Sequence, residues 1–114
     1  MDRDAIMILE YRTAASKVPY REWLTTLDVV TKARIQARVF RFELGHLGDT
    51  KSVGDGVFEA RVDFGSGYRV YFGRSGRSLI VLLLGGDKRS QQRDIAKAKS
   101  HWTEWKVENA KKKS

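Results

Sequence analysis

The chain has 114 residues, a hydrophobic fraction of 41%, a formal net charge of +8 and a pI near 10. That length suits one domain with one modest core, and the apolar fraction is that of a folded chain rather than a disordered one. With no cysteine, a disulfide scaffold and a thiolate metal site are both excluded.

The charge is unevenly placed. Residues 1 to 56 carry nine basic and eight acidic side chains, whereas residues 57 to 114 carry thirteen and six. An excess of this kind favours a polyanionic partner: nucleic acid, anionic lipid or an acidic protein. His46 and His101 lack metal-ligand spacing. The longest apolar run, Leu79 to Leu84, is far too short to span a bilayer, and the opening MDRDAIMI does not read as a secretory signal. The expected location is the cytoplasm, with no membrane contact.

Taken in order, residues 1 to 5 read as a frayed lead-in and Ala5 to Tyr11 as a first strand. Pro19 suits a first helical turn, and the helix predicted from Pro19 to Leu27 puts Trp23, Leu24 and Leu27 on one side. Asp28 is the expected N-cap of a second helix, Val29 to Leu44, stopped by Gly45. Two apolar sets recur along it at helical spacing: Ala33, Ala37, Phe40 and Leu44, and Ile35, Val39 and Phe42. The two helices are expected to form a hairpin packed on a sheet. The second also carries Arg34, Arg38 and Arg41, which read either as a solvated face or as contacts to RNA phosphates or an acidic partner.

Gly45 to Gly56 reads as a polar loop. Beyond it, Phe58, Ala60, Val62 and Phe64 alternate with Glu59, Arg61 and Asp63, the pattern of a half-buried strand. Tyr68 to Phe72 alternates likewise. With Gly65-Ser66-Gly67 as a three-residue hairpin loop, Asp63 faces Arg69 and Arg61 faces Tyr71. A turn at Ser75-Gly76 then leads into Leu79 to Leu84, apolar on both faces and so expected to be covered on both sides. Gly85-Gly86 reads as a hinge that releases a basic loop, with Ser90 as N-cap of a last helix bearing Ile95, Ala98, Trp102 and Trp105 on one stripe. Fraying is expected from residue 107 onward. The predicted fold class is α+β, in the order β-α-α-β-β-β-α, as a single domain over 1 to 114.

No Ser-His-Asp set, HExxH motif or P-loop is present. Glu59 and Asp63 could pair, but the adjacent arginines would keep both ionised, which does not suit a general acid. What remains is a cationic cluster. Arg61, Arg69 and Tyr71 share one sheet face, and the glycine hinge could bring Lys88, Arg89 and Arg93 to its edge. Pre-placed guanidinium groups can stabilise charge growing on a phosphate without a metal. The RNA 2′-hydroxyl can be the nucleophile, with Tyr71 or Lys88 as proton acceptor.

This element order, with GYRVYF on the middle strand and LLLGGDKRSQQRDIAKAK after the last, resembles the RelE/HigB superfamily of toxins from type II toxin–antitoxin modules, in particular the addiction-module killer branch. The resemblance runs from about Ile6 to Trp102. It implies an mRNA endoribonuclease without a cofactor, often acting in the ribosomal A site and silenced by a cognate antitoxin in a hetero-oligomer. It also implies a small antiparallel sheet with the helical hairpin on one face and RNA on the other. Arg69 then matches the arginine on the scissile phosphate, Arg61 a basic residue of the preceding strand, and Lys88 and Arg89 the basic loop. The tyrosine that some relatives carry early in the last helix is absent, since the chain reads Ser90-Gln91-Gln92-Arg93-Asp94-Ile95 there, and Arg93 would take part of its role. The alternative is a non-catalytic nucleic-acid-binding module.

Overall fold

A computed structural model describes residues 5 to 113. The elements are β1 (Met7–Glu10), α1 (Pro19–Thr25), α2 (Val29–Glu43), β2 (Thr50–Gly54), β3 (Val57–Val62), β4 (Tyr68–Ser75) and β5 (Leu79–Asp87), then a 3-10 turn (Lys88–Ser90) and α3 (Gln91–Lys113). They make an α+β fold around one five-stranded sheet of order β1-β5-β4-β3-β2. The sheet is mixed rather than antiparallel, because β1 runs parallel to β5 at its edge.

Both N-terminal helices start where the sequence places them. Pro19 opens α1, and the Asp28 carboxylate accepts the Thr31 N–H at 2.9 Å at the start of α2. The core face of α2 is Thr31, Ile35, Arg38 and Phe42. Of the two predicted apolar sets, Ile35, Val39 and Phe42 pack inward, whereas Ala33, Ala37, Phe40 and Leu44 face solvent.

Three strand boundaries differ from the sequence reading. The expected loop before Gly56 contains β2, which pairs antiparallel with β3; its TKSVG sequence is too polar to announce a strand, and pairing rather than patterning makes it one. The β3–β4 hairpin is shifted by two residues, with Arg61 opposite Arg69 and Glu59 opposite Tyr71. Its loop is therefore Asp63 to Gly67, closed by the Gly67 N–H donating to the Phe64 carbonyl at 3.1 Å. The next turn is Gly76 to Ser78, one residue longer than expected, since Ser75 pairs with Leu79.

The alternation of β3, β4 and β5 builds two cores. One, under α1 and α2, contains Ala60, Val62, Val70, Phe72, Ile80 and Leu82. The other, under α3, contains Val57, Tyr71, Val81, Leu83, Ala98 and Trp102. A bulge between Tyr71 and Phe72 lets Leu83 and Leu84 both pack on the α3 side. The sheet is thus covered on both faces, and α3 lies where the resemblance implied a free surface for RNA. Trp102 is 4% exposed, so the tryptophan stripe is core, and burial of such a ring contributes about 2–3 kcal/mol.

Helix α3 continues through Lys113; residues 1 to 4 and Ser114 lie outside the described residues. No helix among the described residues is long and apolar enough to cross a membrane.

Candidate functional site

The polar face of β3 and β4 is built around a carboxylate that is fully buried. Glu59 Oε2 accepts from Gln91 Nε2 at 2.7 Å and from the Tyr71 hydroxyl at 3.3 Å, and lies 3.3 Å from Arg69 Nε. The Arg69 N–H is not aimed along that last vector, so the two groups attract as charges without a formed hydrogen bond. Lys51 Nζ stands 3.9 Å from the other oxygen, at the solvent edge. Gln91 comes from the first turn of α3, so the helix closes the site that β3 and β4 begin.

Gly85 and Gly86 are not a hinge. Both lie within β5, opposite Val70 and Arg69. A Cβ on Gly85 would sit 2.0 Å from the Trp23 ring, and one on Gly86 would sit 1.9 Å from Asp94 Oδ2. The two glycines therefore admit α1 on one face and α3 on the other. Asp94 is buried there and accepts the Ser90 hydroxyl at 2.5 Å.

The basic segment is consequently a fixed turn. Asp87 caps it, accepting the N–H groups of Arg89 at 2.9 Å and Ser90 at 3.3 Å. Partial desolvation opposes the charge on Asp87, but the Arg89 and Ser90 contacts outweigh it and hold the carboxyl below its usual range. The Lys88 N–H donates to the Gly67 carbonyl at 3.1 Å, tying this turn to the β3–β4 loop. At that end of the sheet Arg61 is paired with Arg69, and Lys88 and Arg89 are exposed alongside. Arg93 is exposed in the first turn of α3.

Tyr71 has a different place from the one expected. It is 0% exposed beneath α3 and faces Glu59 rather than Arg61. Burial first, then the Glu59 and Asp94 charges, raise its pKa well above the ordinary phenol value. It acts as a hydrogen-bond donor that steadies Glu59 and is withdrawn from RNA contact and from the role of base. Asp63 likewise does not pair with Arg69, because it lies in the hairpin loop.

The arginine stripe of α2 divides. Arg38 is buried and donates to the carbonyls of Leu47, Asp49 (3.0 Å) and Arg61 (3.1 Å), so it pins the approach to β2 against β3. Its role is structural, which corrects its assignment to RNA. Arg34 and Arg41 are exposed, Arg34 lying 4.3 Å above the Phe64 ring. With His46, Arg61 and Asp63 they line a shallow cleft of about 300 Å³. A larger cleft, about 730 Å³, runs between β1 and the second half of α3 and contains none of the predicted site residues. Among the described residues no three His, Asp or Glu side chains are placed to share a metal ion.

Over 81 residues the chain is 48% identical to an uncharacterized protein of Haemophilus influenzae, an alignment that covers 70% of this chain and 82% of that one. The two belong to one family. No family model matches the chain, and no solved structure matches it.

Sequence reasoning discounted Glu59, read Ser90 only as a helix cap, and missed Gln91 and Asp94. The available signal was the adjacent pair Gly85-Gly86 in an apolar strand, which marks close approach by other elements as readily as it marks a hinge.

Proposed function

We propose that this protein is the toxin of a type II toxin–antitoxin pair with a RelE-like fold, a metal-independent endoribonuclease acting on mRNA at the ribosome in the cytoplasm. The observation that supports this reading is the meeting of Arg61, Arg69, Lys88 and Arg89 at one end of the sheet, held by the Arg61–Arg69 register and the Lys88–Gly67 hydrogen bond. In the proposed reaction the RNA 2′-oxygen attacks the adjacent phosphorus and the P–O5′ bond breaks. A 2′,3′-cyclic phosphate and a 5′-hydroxyl result, the proton passing from the 2′-oxygen to the leaving oxygen. Arg61 stabilises the negative charge on the phosphoryl oxygens, the buried Arg69 adds positive charge from beneath it, and Lys88 is a phosphate ligand or the acid at the leaving oxygen. Arg89, Arg93, Arg34 and Arg41 extend the positive track for the flanking phosphates. A cognate antitoxin would neutralise this surface.

One observation favours a second reading, a nucleic-acid-binding module without catalysis. The buried Tyr71 leaves the site without the phenol expected to accept the proton.

Induced expression with Arg61→Ala alongside separates the two. Growth arrest with new mRNA 5′ ends, lost in the variant, supports the ribonuclease. Normal growth of cells that accumulate folded parent protein overturns it and leaves the binding module.

A further inference from the structure

The outer face of α2 carries an apolar stripe that no element among the described residues covers. Val30, Ala33, Ala37, Phe40 and Leu44 recur at alternating spacings of three and four residues, the period with which one helix meets another. Val30 is 57% exposed, Phe40 57% and Leu44 55%, and both alanines are exposed. The core of the protein takes a different face of the same helix, Thr31, Ile35, Arg38 and Phe42. The stripe is about 20 Å long, and its two central alanines leave room for a close backbone approach.

The flanks are unlike each other. Arg34 and Arg41 each follow a stripe position and line one side; Gln36 and Glu43 each precede one and line the other. Arg34 is already ordered over Phe64, and the cleft lined by Arg34, Arg38, Arg41 and His46 adjoins that side. A continuous apolar stripe offers phosphates nothing to bind, so RNA is not its natural occupant. A second copy of this chain is also a poor fit. In-register antiparallel pairing sets the arginine flank against itself, and in-register parallel pairing sets Arg41 against Gln36, so neither gives the arginines a carboxylate. Each copy also carries +8.

We infer that the outer face of α2 docks an acidic amphipathic helix of another protein, one that presents apolar side chains at the same alternating spacing and carboxylates toward Arg34 and Arg41. This inference rests on α2 alone and does not depend on the ribonuclease reading.

Two synthetic helical peptides with one leucine pattern at that spacing, one flanked by glutamates and the other by lysines, test it by fluorescence anisotropy against the whole protein. The glutamate peptide should bind at least about ten-fold tighter than the lysine peptide. Phe40→Glu and Ala37→Glu, both on the solvent face, should each weaken it by about ten-fold or more while the circular dichroism and melting temperature stay as in the parent. The double variant Arg34→Glu/Arg41→Glu should shift preference toward the lysine peptide. RNA cleavage by Phe40→Glu should equal that of the parent, so a failed cleavage assay and a failed peptide assay point to different errors. Equal affinity for the two peptides, or binding indifferent to both stripe substitutions, overturns the inference. So does a dimer of the chain alone in sedimentation that Phe40→Glu converts to monomer, which would give this face to a second copy.

Discussion

Arg69 lies with its Nε 3.3 Å from Glu59 Oε2, and both side chains are buried between the sheet and α3. Removing one member of such a pair leaves an uncompensated charge in the interior. Arg69→Ala should therefore cost about 3–5 kcal/mol in urea denaturation. Adding Glu59→Gln removes the orphaned charge and should restore at least about 1 kcal/mol of that loss. Strictly additive losses would mean that the two side chains act independently. Loss of toxicity in Arg69→Ala would thus mix unfolding with chemistry, which is why the exposed Arg61 is the better probe of the proposed reaction.

The three arginines of α2 should separate in a stability measurement. Arg38→Ala strands the carbonyls of Leu47, Asp49 and Arg61, and the expected loss is about 2–3 kcal/mol. Arg34→Ala and Arg41→Ala, both at exposed positions, should each stay within about 0.5 kcal/mol of the parent. Thermal melts of the three variants check this, and equal effects would contradict the division of the stripe.

The glycine pair in β5 should tolerate no side chain. Gly85→Ala and Gly86→Ala force Trp23 and Asp94 from their places, and each should destabilise by about 1–3 kcal/mol. A hinge would respond differently, with stability nearly unchanged. Denaturant midpoints of the two variants distinguish the cases.

His101 gives the protein a pH dependence of defined sign. Its ring stacks on Tyr11 with centroids 4.7 Å apart, and its Nδ1 lies 3.9 Å from Glu104 Oε1, too far for a hydrogen bond. Burial, reinforced by Lys97 and opposed by Glu104, lowers its pKa below the ordinary 6.5. The unfolded chain then binds the proton more readily than the folded one, so this residue's contribution to stability falls as the pH drops through about 6.5. His101→Phe should flatten that part of the curve, as read from urea midpoints on either side of this pH. An unchanged slope would assign the dependence to other groups.

Much of the fold was legible because local chemistry and tertiary packing agree there: Pro19 and Asp28 start helices, and the alternation of β3 and β4 gives their faces correctly. Register was not legible. Asp63 opposite Arg69 and Arg61 opposite Arg69 both keep every apolar side chain on the same face, since a shift of two residues preserves alternation. The burial of Glu59 was hidden for a related reason. Alternation says that it leaves one core, and only the return of α3 shows that it enters another. Helix α2 misled in the opposite direction, because its five-residue apolar stripe has core-like spacing but faces outward. Of the cationic cluster, Arg61, Lys88 and Arg89 could be picked out from sequence as exposed bases, whereas Arg38, Arg69 and Tyr71 owe their places to contacts with distant segments.

The parallel pairing of β1 with β5 bears on when the molecule becomes complete. Residues 7 to 10 are made well before residues 79 to 87, their one partner strand among the described residues, which also supply the neighbour of Arg69. Contacts this distant in sequence form late and slowly. A nascent chain that has not yet produced β5 has neither its first strand seated nor its basic turn fixed against Gly67. The cationic surface therefore takes shape only after β5 has been made.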